Sequence, residues 1–523
     1  MSDASLVVLN ANVITLDARK PRAQAIAIQN NKIVAVGTNK QIRKLKGKNT
    51  KVINAKRATV VPGLVDCHVH MMGFGFSLQE LELRNVKSIK ELQRRLRDYA
   101  RKNSGKEWII GRHWDQSRFK EKRYPTCHDL DVAVADKPVF LTRVCGHIAV
   151  VNTRALQLTA ITEKTTVEGG KVDLDEKTGE PSGILRENAV DIVQRAVPKP
   201  TESELERAYL SACRKAAKAG LTCVHWMLNS AKEIRAAQKL WREGKLSIRT
   251  LLGIPVSLLN SLTDLGLLTG FGDDMLKIGP VKILADGSLG GQTAALKEPY
   301  ADKPETSGMM LYTEKKLDRL VTKAHKADLQ LAIHAIGDRT IEAVLKVYEK
   351  ALRKHPRKDH RHRIEHCSVL NPELIRKMKE LNLIASVQPH FVASDFWVTD
   401  RVGKHRARWV FPFKTLMKEG LTMVSGSDCP VEPINPILGI WAAAARKSFP
   451  EERLTTKEAL KTYTVNAAYA SFDEDKRGTI VAGKLADLTL LSEDVLKIPP
   501  EEIKNVKVEM TIVDGKVVYA RKR

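Results

Sequence analysis

The sequence of 523 residues is short of the features that mark membrane, secreted and fibrous proteins. It has no run of about 18 or more consecutive apolar residues, which argues against a membrane-spanning helix. Its first residues, MSDASLVVLNANVITLDARK, lack the basic start and the apolar stretch of a signal peptide. Low-complexity segments and short-period repeats are also missing. These absences predict an untargeted, soluble protein of the cytoplasm without a membrane partner.

Cysteine is sparse and is not arranged in pairs. The seven cysteines are an odd number, and none lies in a Cys-x-x-Cys spacing. Several fall inside apolar strand-like or helix-like patterns. A disulfide framework is therefore not expected, and reduced, mostly buried thiols are typical of a cytosolic compartment. The set is Cys67, Cys127, Cys145, Cys213, Cys223, Cys367 and Cys429.

Acidic residues are fewer than basic ones, and the formal net charge is +26. Such an excess raises nucleic acid, membrane surfaces and anionic substrates as partners. However, the basic residues are spread along predicted helix faces with acids between them, and aromatic residues make up only 5% of the chain. No nucleic-acid-reading motif accompanies them. We interpret the charge as solvated surface, which leaves room only for nonspecific binding of polyanions.

The two chain ends are rich in strand signals. Short runs of alternating apolar residues near the N-terminus, such as AIAIQNNKIVAVG, and the Asp514-Gly515 turn near the C-terminus indicate β-hairpins. We predict that residues 1–60 and 475–523 together form one small β-sandwich domain, and that residues 61–474 form a second, larger domain.

The long middle of the chain alternates helices with near-continuous apolar runs such as LTCVHWM, LQLAIHAIGD and LIASVQPHF. This repetition indicates the α/β class, as either a parallel barrel or a doubly wound sheet. Residues of about 85–195 contain longer loop-like stretches than a strand-helix unit needs. We predict that they are an inserted α+β segment folded over the barrel mouth.

Side chains able to bind metals stand at or near the ends of the apolar runs. In α/β barrels, catalytic groups come from the carboxyl ends of several strands, so this order is what a barrel active site would leave in a sequence. The candidates are His68, His70, Lys282, His334, His366 and Asp428.

Each candidate alone has an ordinary structural interpretation. A single histidine in an apolar run is more often a core residue than a ligand, a lone Lys282 would extend its ammonium to water, and Asp428 would serve as a helix cap or turn residue. His68 and His70, however, are two residues apart and point to the same face of a strand. The joint occurrence of all six favours a metal site.

Four imidazoles and a carboxylate suit Zn²⁺ and other first-row divalent cations. An ammonium group would repel such ions. If burial lowers its pKa, however, the neutral amine of Lys282 can add carbon dioxide and become a carbamate, an anionic ligand able to bridge two metals.

Nine motifs give the sequence a clear resemblance to the amidohydrolase superfamily, within it to the amidohydrolase-3 (YtcJ-like) branch that includes N-substituted formamide deformylases. They are PGLVDCHVH, GHIAVVNT, GILRE, VKILADGSLGGQTAAL, AIHAIGDRT, RIEHC, SVQPHF, GSDCPVEPINP and GKLADLTLLS, and they extend from about residue 60 to the C-terminal β segment. The resemblance implies a (β/α)₈ TIM-type barrel with a β-sandwich built from both chain ends.

The resemblance also implies a binuclear centre that carries two divalent metal ions, with zinc as the expected metal. It divides the six side chains between them: one metal is assigned His68, His70 and Asp428, the other His334 and His366, with carboxylated Lys282 bridging both.

The function expected from this centre is hydrolysis of an amide, formamide or related C–N bond of a small organic molecule by a metal-bridged hydroxide, with Asp428 as the catalytic proton carrier. Ester or lactone hydrolysis on the same centre is the alternative, and a non-catalytic barrel scaffold is a further one. The sequence does not decide the oligomeric state, and a homo-oligomer is one option. Substrate contacts are predicted for seven residues, each of which has packing or capping as its structural alternative: Trp114, Asp115, His147, His225, Arg339, Gln388 and His390.

Overall fold

The computed structural model describes residues 3–143, 148–167 and 169–522. The chain divides into two compact units, one made of residues 1–73 and 209–523 and the other of residues 74–208. The inserted segment predicted at about 85–195 falls within the second unit, whereas the strands of both chain ends belong to the same unit as the barrel. The predicted domain boundaries stay predictions.

The strands of the described residues are numbered in chain order. They are β1 (Ala4–Leu9), β2 (Asn12–Ile14), β3 (Arg22–Ala23), β4 (Ala25–Gln29), β5 (Lys32–Gly37), β6 (Lys46–Asn54), β7 (Thr59–Pro62), β8 (Leu64–Val69), β9 (Leu81–Glu82), β10 (Ile109–Trp114), β11 (Val139–Arg143), β12 (Ile148–Val151), β13 (Gly170–Leu174), β14 (Pro181–Glu187), β15 (Leu221–Met227), β16 (Arg249–Pro255), β17 (Leu276–Leu284), β18 (Leu331–Ala335), β19 (Arg363–His366), β20 (Ile384–Val387), β21 (Met423–Ser425), β22 (Leu488–Leu491), β23 (Val508–Val513) and β24 (Lys516–Ala520).

The α-helices are numbered in the same way. They are α1 (Asn39–Arg43), α2 (Met71–Ser77), α3 (Ile89–Lys102), α4 (Cys127–Asp131), α5 (Thr153–Leu158), α6 (Val190–Ala196), α7 (Glu202–Lys218), α8 (Ala231–Arg242), α9 (Leu259–Asp264), α10 (Glu314–Lys326), α11 (Asp338–Lys354), α12 (Pro372–Glu380), α13 (Phe391–Ser394), α14 (Val398–Ala407), α15 (Phe413–Lys418), α16 (Pro436–Ala444), α17 (Thr456–Thr462) and α18 (Val465–Ala470). Short 3₁₀ helices cover Gln116–Arg118, Val256–Leu258, Pro450–Glu452 and Pro500–Asn505.

Eight parallel strands form the central sheet of the larger unit, in the order β8, β15, β16, β17, β18, β19, β20 and β21. Strands such as β15 are buried along their whole length, because helices return the chain between parallel strands and cover the outer face. The near-continuous apolar runs of the sequence follow from this double burial. The prediction of an eight-stranded parallel α/β barrel is confirmed.

The barrel is nearly closed where its first and last strands meet. Asp428, just after β21, donates its backbone N–H to the carbonyl of His68 on β8 at 2.7 Å, and His70 donates to the carbonyl of Cys429 at 2.9 Å. A Cβ atom on Gly426 would lie 2.5 Å from the backbone nitrogen of His68. Glycine is therefore required at this position for the two strands to approach.

Strands from both chain ends pair in the larger unit. A four-stranded sheet has the order β5, β4, β1, β6, and a six-stranded sheet has the order β24, β23, β22, β7, β2, β3. In the second sheet, β22 near the C-terminus pairs antiparallel with β7 near the N-terminus. One hydrophobic cluster contains Leu6 and Ile28 of the first sheet together with Leu488 and Ile512 of the second.

The unit of residues 74–208 is built on a six-stranded sheet with the order β13, β14, β12, β11, β10, β9. One of its hydrophobic clusters joins Leu92 and Leu96 of α3 to Ile109 and Leu141 of the sheet. Ser88 caps the N-terminus of helix α3, because its hydroxyl accepts the backbone N–H of Glu91 at 3.1 Å.

The cysteines among the described residues are unpaired and buried, as expected: Cys67, Cys127, Cys213, Cys223, Cys367 and Cys429. Cys145 lies outside the described residues. None of the described helices combines the length and the apolar character that a bilayer crossing demands.

A chain of buried imidazoles lies where β18 and β19 begin. The backbone N–H of Leu331 donates to Nδ1 of His362 at 3.1 Å, and the second ring nitrogen of His362 lies 2.9 Å from Nδ1 of His325. Nε2 of His325 reaches the carbonyl of His355 at 2.7 Å. Because a backbone N–H only donates, His362 must be neutral and must carry its proton on Nε2.

His360 continues this arrangement. Its Nδ1 accepts the backbone N–H of His362 at 2.9 Å, and its Nε2 donates to the carbonyl of Leu381 at 3.0 Å. Burial lowers the pKa of His360 to about 4 and holds the pKa of His362 well below its ordinary value. Protonation would add a donor where each ring now accepts.

We expect the free energy of unfolding to fall as the pH decreases from about 6.5 toward 4, because unfolded histidine binds a proton that folded His360 excludes. Each histidine whose pKa is lowered in this way reduces the free energy of unfolding by about 1.4 kcal/mol per pH unit in this window. A His360→Asn variant offers a similar acceptor to His362 but does not titrate, so its stability should fall less steeply by that amount. Urea unfolding at several pH values measures both slopes, and equal slopes would contradict the neutral state of His360.

Candidate active site

The six side chains predicted to bind metals come from the carboxyl ends of five barrel strands. His68 Nε2 lies 3.6 Å from Asp428 Oδ1, and His70 Nε2 lies 3.2 Å from the same oxygen. The candidate ligand atoms of these three residues all lie within 4.8 Å of one another. This spacing would allow one cation to touch all three.

The other three residues extend the cluster from His68. Lys282 Nζ lies 3.4 Å from His68 Nε2, and the centroids of the His68 and His366 rings are 4.9 Å apart. The His334 and His366 rings are 4.4 Å apart. The structure therefore brings all six predicted side chains into one group, at the point where β8 and β21 meet.

Two of the six reach the centre through an unusual backbone conformation. His366 has φ 75° and Asp428 has φ 56°, both in the left-handed region that side chains rarely adopt. Along a regular strand, Glu365 and His366 would point to opposite faces. Both nevertheless approach His68, because the strand ends at His366 and the turn brings its ring inward.

A buried ion pair lies beneath the cluster. The Nε atom of Arg363 and Oε1 of Glu365 are 2.7 Å apart, and both side chains are fully buried. Glu365 Oε2 accepts the hydroxyl of Ser386 at 2.7 Å and contacts Nδ1 of His68. Arg363 also donates to the carbonyl of Cys67 at 2.6 Å. Burial would raise the pKa of Glu365, but Arg363 and His68 hold it well below its ordinary value.

The other imidazoles also have acceptors behind them. Nδ1 of His366 lies 2.7 Å from Oε1 of Gln388. Nε2 of His334 lies 2.9 Å from the carbonyl of Gly287 and 3.3 Å from Asp286 Oδ1. If each ring donates to these acceptors, the nitrogen that remains for a metal is Nε2 in His366 and Nδ1 in His334.

The electrostatics of the cluster favour a cation. Burial lowers the pKa of His68 to about 4, with Lys282 adding to the effect, and burial lowers the pKa of Lys282 to about 8. Burial opposes ionisation of Asp428, but His70, His68 and His366 hold its pKa well below its usual range. Neutral imidazoles and an ionised carboxylate are the forms that bind metal ions.

Asp66 positions the first and last strands around the ligands. Its carboxylate accepts the backbone N–H of His68 and of Ser427, each at 3.0 Å, and the Ser427 hydroxyl at 2.5 Å. Burial raises the pKa of Asp66 to about 7 against these hydrogen bonds. Asp66 was not among the residues predicted for the site.

Two predicted substrate contacts, His225 and Gln388, are fully buried. His225 Nδ1 lies 3.0 Å from a terminal nitrogen of Arg363, and Gln388 faces His366. Arg339 donates to the carbonyl of Gly308 at 3.2 Å.

His390 Nδ1 lies 2.5 Å from Oε2 of Glu432. It follows β20 at the same barrel end as the metal-ligand candidates. The predicted contacts of His225, Gln388, Arg339 and His390 with substrate stay predictions.

Trp114 and Asp115 belong to the unit of residues 74–208. Trp114 is fully buried in a hydrophobic cluster of that unit, and its indole N–H donates to the carbonyl of Leu141 at 2.8 Å. Asp115 pairs with Arg143 at 3.1 Å. His147 lies outside the described residues. Their contact with substrate also stays a prediction.

The sequence does contain a pattern that indicates the Arg363–Glu365 pair, although it was not among the predictions. The two residues stand two apart in the apolar run RHRIEHC, so they point to the same face of a buried strand. Charges in such a place need partners. No local pattern points to Asp286, because three of its four contacts come from residues distant in the chain, Ile336, Gly337 and His334. The fourth is the backbone N–H of Ala295.

A model of the amidohydrolase family matches residues 51–519. The chain belongs to the amidohydrolase family. The Bacillus subtilis protein YtcJ is 34% identical, with coverage of 97% of this chain and 98% of the relative. The N-substituted formamide deformylase of Arthrobacter pascens is 28% identical, with coverage of 99% of this chain and 98% of the relative.

Among solved structures, an uncharacterized metal-dependent hydrolase of Pyrococcus furiosus matches with a TM-score of 0.80 and 32% identity, over 94% of this chain and 100% of that one. The resemblance inferred from the sequence motifs is thereby confirmed. This amidohydrolase is a hydrolase of the metal-dependent class.

We expect Glu365→Leu to lower the free energy of unfolding of the metal-free protein by roughly 3–5 kcal/mol, because it leaves the fully buried Arg363 charge without its partner. The double variant Arg363→Met, Glu365→Leu removes both charges and should recover much of that loss. Urea unfolding compares the three proteins. A single variant as stable as the wild type would contradict a stabilising role for the pair.

Proposed function

We propose that this amidohydrolase cleaves an amide, formamide or related C–N bond of a small organic molecule with the help of two divalent cations. The observation that carries the proposal is the meeting of six side chains, distant in sequence, around the oxygen of Asp428 and the imidazole of His68. Such a mixture of imidazoles, an amine and a carboxylate has little use in a barrel core without a bound cation.

The residues present suit such cations. His68, His70 and Asp428 would hold one ion, since their donor atoms are mutually close, and His334 and His366 would hold the second. Imidazole and carboxylate donors favour zinc among the common divalent ions. When bound, divalent cations polarise a carbonyl group and lower the pKa of water toward neutrality.

Lys282 would supply the ligand shared by the two ions as a carbamate. The ammonium first loses one proton, and the neutral amine nitrogen then bonds to the carbon of carbon dioxide and releases a second proton, so the side chain changes from a cation to an anion. Lys282 is buried at the end of β17 with its Nζ beside His68. The carbamate would place an anionic oxygen ligand between the imidazoles.

Asp428 is placed to move the proton of the hydrolysis. It is ionised, and it therefore can accept a proton from the attacking water and donate it to the departing nitrogen. The water oxygen bonds to the carbonyl carbon, the C–N bond breaks, and the products are a carboxylic acid and an amine. An amine leaves poorly unless it is protonated, so one carboxylate can serve both transfers in turn.

The choice of a C–N bond is supported by the relationship to the N-substituted formamide deformylase. Ester or lactone hydrolysis is the second candidate, since the same ligand set and the same proton transfer would serve an alcohol as the leaving group.

A panel of N-formyl amines, acyl amides, lactones and esters tests the choice of bond. We expect the metal-loaded wild type to hydrolyse at least one amide or formamide with a higher kcat/KM than any ester or lactone. Asp428→Asn should lose most of this activity, which ties it to this site and not to a contaminating hydrolase. Esters cleaved far better than every amide would replace the proposed reaction with the second candidate.

Metal analysis of the purified protein should find close to two divalent ions per chain after loading with zinc and bicarbonate. Lys282→Ala should lose the metal pair and most of the activity, because the shared ligand is absent. Lys316 lies on helix α10 and is not one of the six candidate ligands. Lys316→Ala therefore serves as the control for loss of a lysine. Full metal content and turnover in Lys282→Ala would contradict the bridging role.

A further inference from the structure

Gln388 directly follows β20, and its side chain has no exposed surface. Its Oε1 atom lies 2.7 Å from Nδ1 of His366. A residue that binds substrate must offer atoms to the open mouth of the barrel. The Oε1 atom of Gln388 instead contacts, inside the protein, the imidazole of a metal-ligand candidate.

The contact determines which nitrogen of His366 carries the proton. An amide oxygen only accepts hydrogen bonds, so Nδ1 must donate and Nε2 keeps its lone pair. A reversed amide would present its N–H group to Nδ1 and place the ring proton on Nε2. The two orientations of one buried amide therefore correspond to a ring that can bind a cation through Nε2 and a ring that cannot.

His366 has particular need of such support. Its φ of 75° lies outside the strand conformation, so the pleat of β19 does not direct its ring. The ring has other imidazoles on two sides, with centroid distances of 4.4 Å to His334 and 4.9 Å to His68. Neither contact fixes a tautomer in the way that a hydrogen bond does.

A neutral acceptor suits the charges already present. The interior beside His366 holds the ionised carboxylates of Glu365 and Asp428. A further carboxylate at residue 388 would add a negative charge to a fully buried position. Among the described side chains, Gln388 Nε2 has no hydrogen-bond partner, so the contact with His366 alone orients the amide.

We propose that Gln388 is a positioning residue that holds His366 with its proton on Nδ1, so that Nε2 faces the cation site. It acts through His366 and does not touch substrate. The inference rests on the proposed function for the metal-binding role of His366, but the tautomer itself is a property of the metal-free protein.

The first test is therefore made without metal. Histidine side-chain ¹⁵N NMR of the metal-free wild type should show His366, assigned by the loss of its signals in His366→Asn, with its proton on Nδ1. A proton fixed on Nε2 would overturn the proposal. This measurement is decisive even if every variant at residue 388 fails to fold.

The second test compares variants. Gln388→Met keeps a similar length without the acceptor and should lose the fixed tautomer, lower zinc affinity about 10–100-fold in chelator competition, and reduce kcat more than it raises KM. Gln388→Glu keeps an acceptor oxygen and should retain the tautomer. Unchanged zinc affinity with a raised KM in Gln388→Met would overturn the proposal in favour of substrate contact.

Gln330 provides the matched control. It is also fully buried, but its amide donates to the carbonyls of Arg361 at 2.6 Å and Ala470 at 3.0 Å, where β18 begins. Gln330→Met should leave the His366 tautomer and zinc affinity unchanged, and an equal loss in both variants would show a general effect of losing a buried amide. If the wild type keeps the tautomer but binds no metal, the proposed function fails and the positioning role stands.

Discussion

The active end of the barrel depends on a buried ion pair between Arg363 and Glu365. Barrel interiors are normally filled by layers of branched apolar side chains, and two charges in that place are tolerated only when each is fully paired. Here they contact side chains of three other strands. Arg363 reaches His225 on β15, Glu365 reaches His68 on β8, and both reach Ser386 on β20. The pair thus joins the barrel wall to the site above it.

The acceptors behind the imidazoles differ in charge. His68 has the carboxylate of Glu365, His366 has the neutral amide of Gln388, and His334 has the carbonyl of Gly287 with Asp286 nearby. Each acceptor orients a ring and makes one of its nitrogens the donor. The polar groups inside the barrel therefore orient the candidate metal ligands, in addition to filling the barrel interior.

The sequence predicted those parts of the site that follow from strand order and periodicity. His68, His334 and Lys282 lie in parallel strands, whose carboxyl ends meet at one end of a barrel, so their convergence follows from the pattern of apolar runs. It could not predict the left-handed turns at His366 and Asp428, because pleat alternation alone would send the ring of His366 away from the centre. Long-range partners such as Asp286 depend on loop packing that no local pattern records.

Dependence on tertiary packing also limits the prediction of substrate contacts. Trp114 is one of the predicted substrate contacts, and the structure packs it in a hydrophobic cluster with its N–H paired to a carbonyl. Burial of a large side chain is decided by the tertiary structure and not by its neighbours in sequence. Convergence of the six candidate ligands was easier to predict than substrate contact, because it follows from the meeting of strand ends in a barrel.

Imidazoles lie at both ends of strands β18 and β19. Where they begin, His362 accepts the backbone N–H of Leu331, and where they end, His334 and His366 face the site. Protonation would remove the hydrogen-bond acceptor in the first arrangement, and in the second it would remove a candidate metal ligand. A cation that binds only the folded protein adds its binding free energy to stability. Acid therefore opposes folding directly where the two strands begin, and in the proposed metal-loaded protein it would also act through loss of the cation where they end.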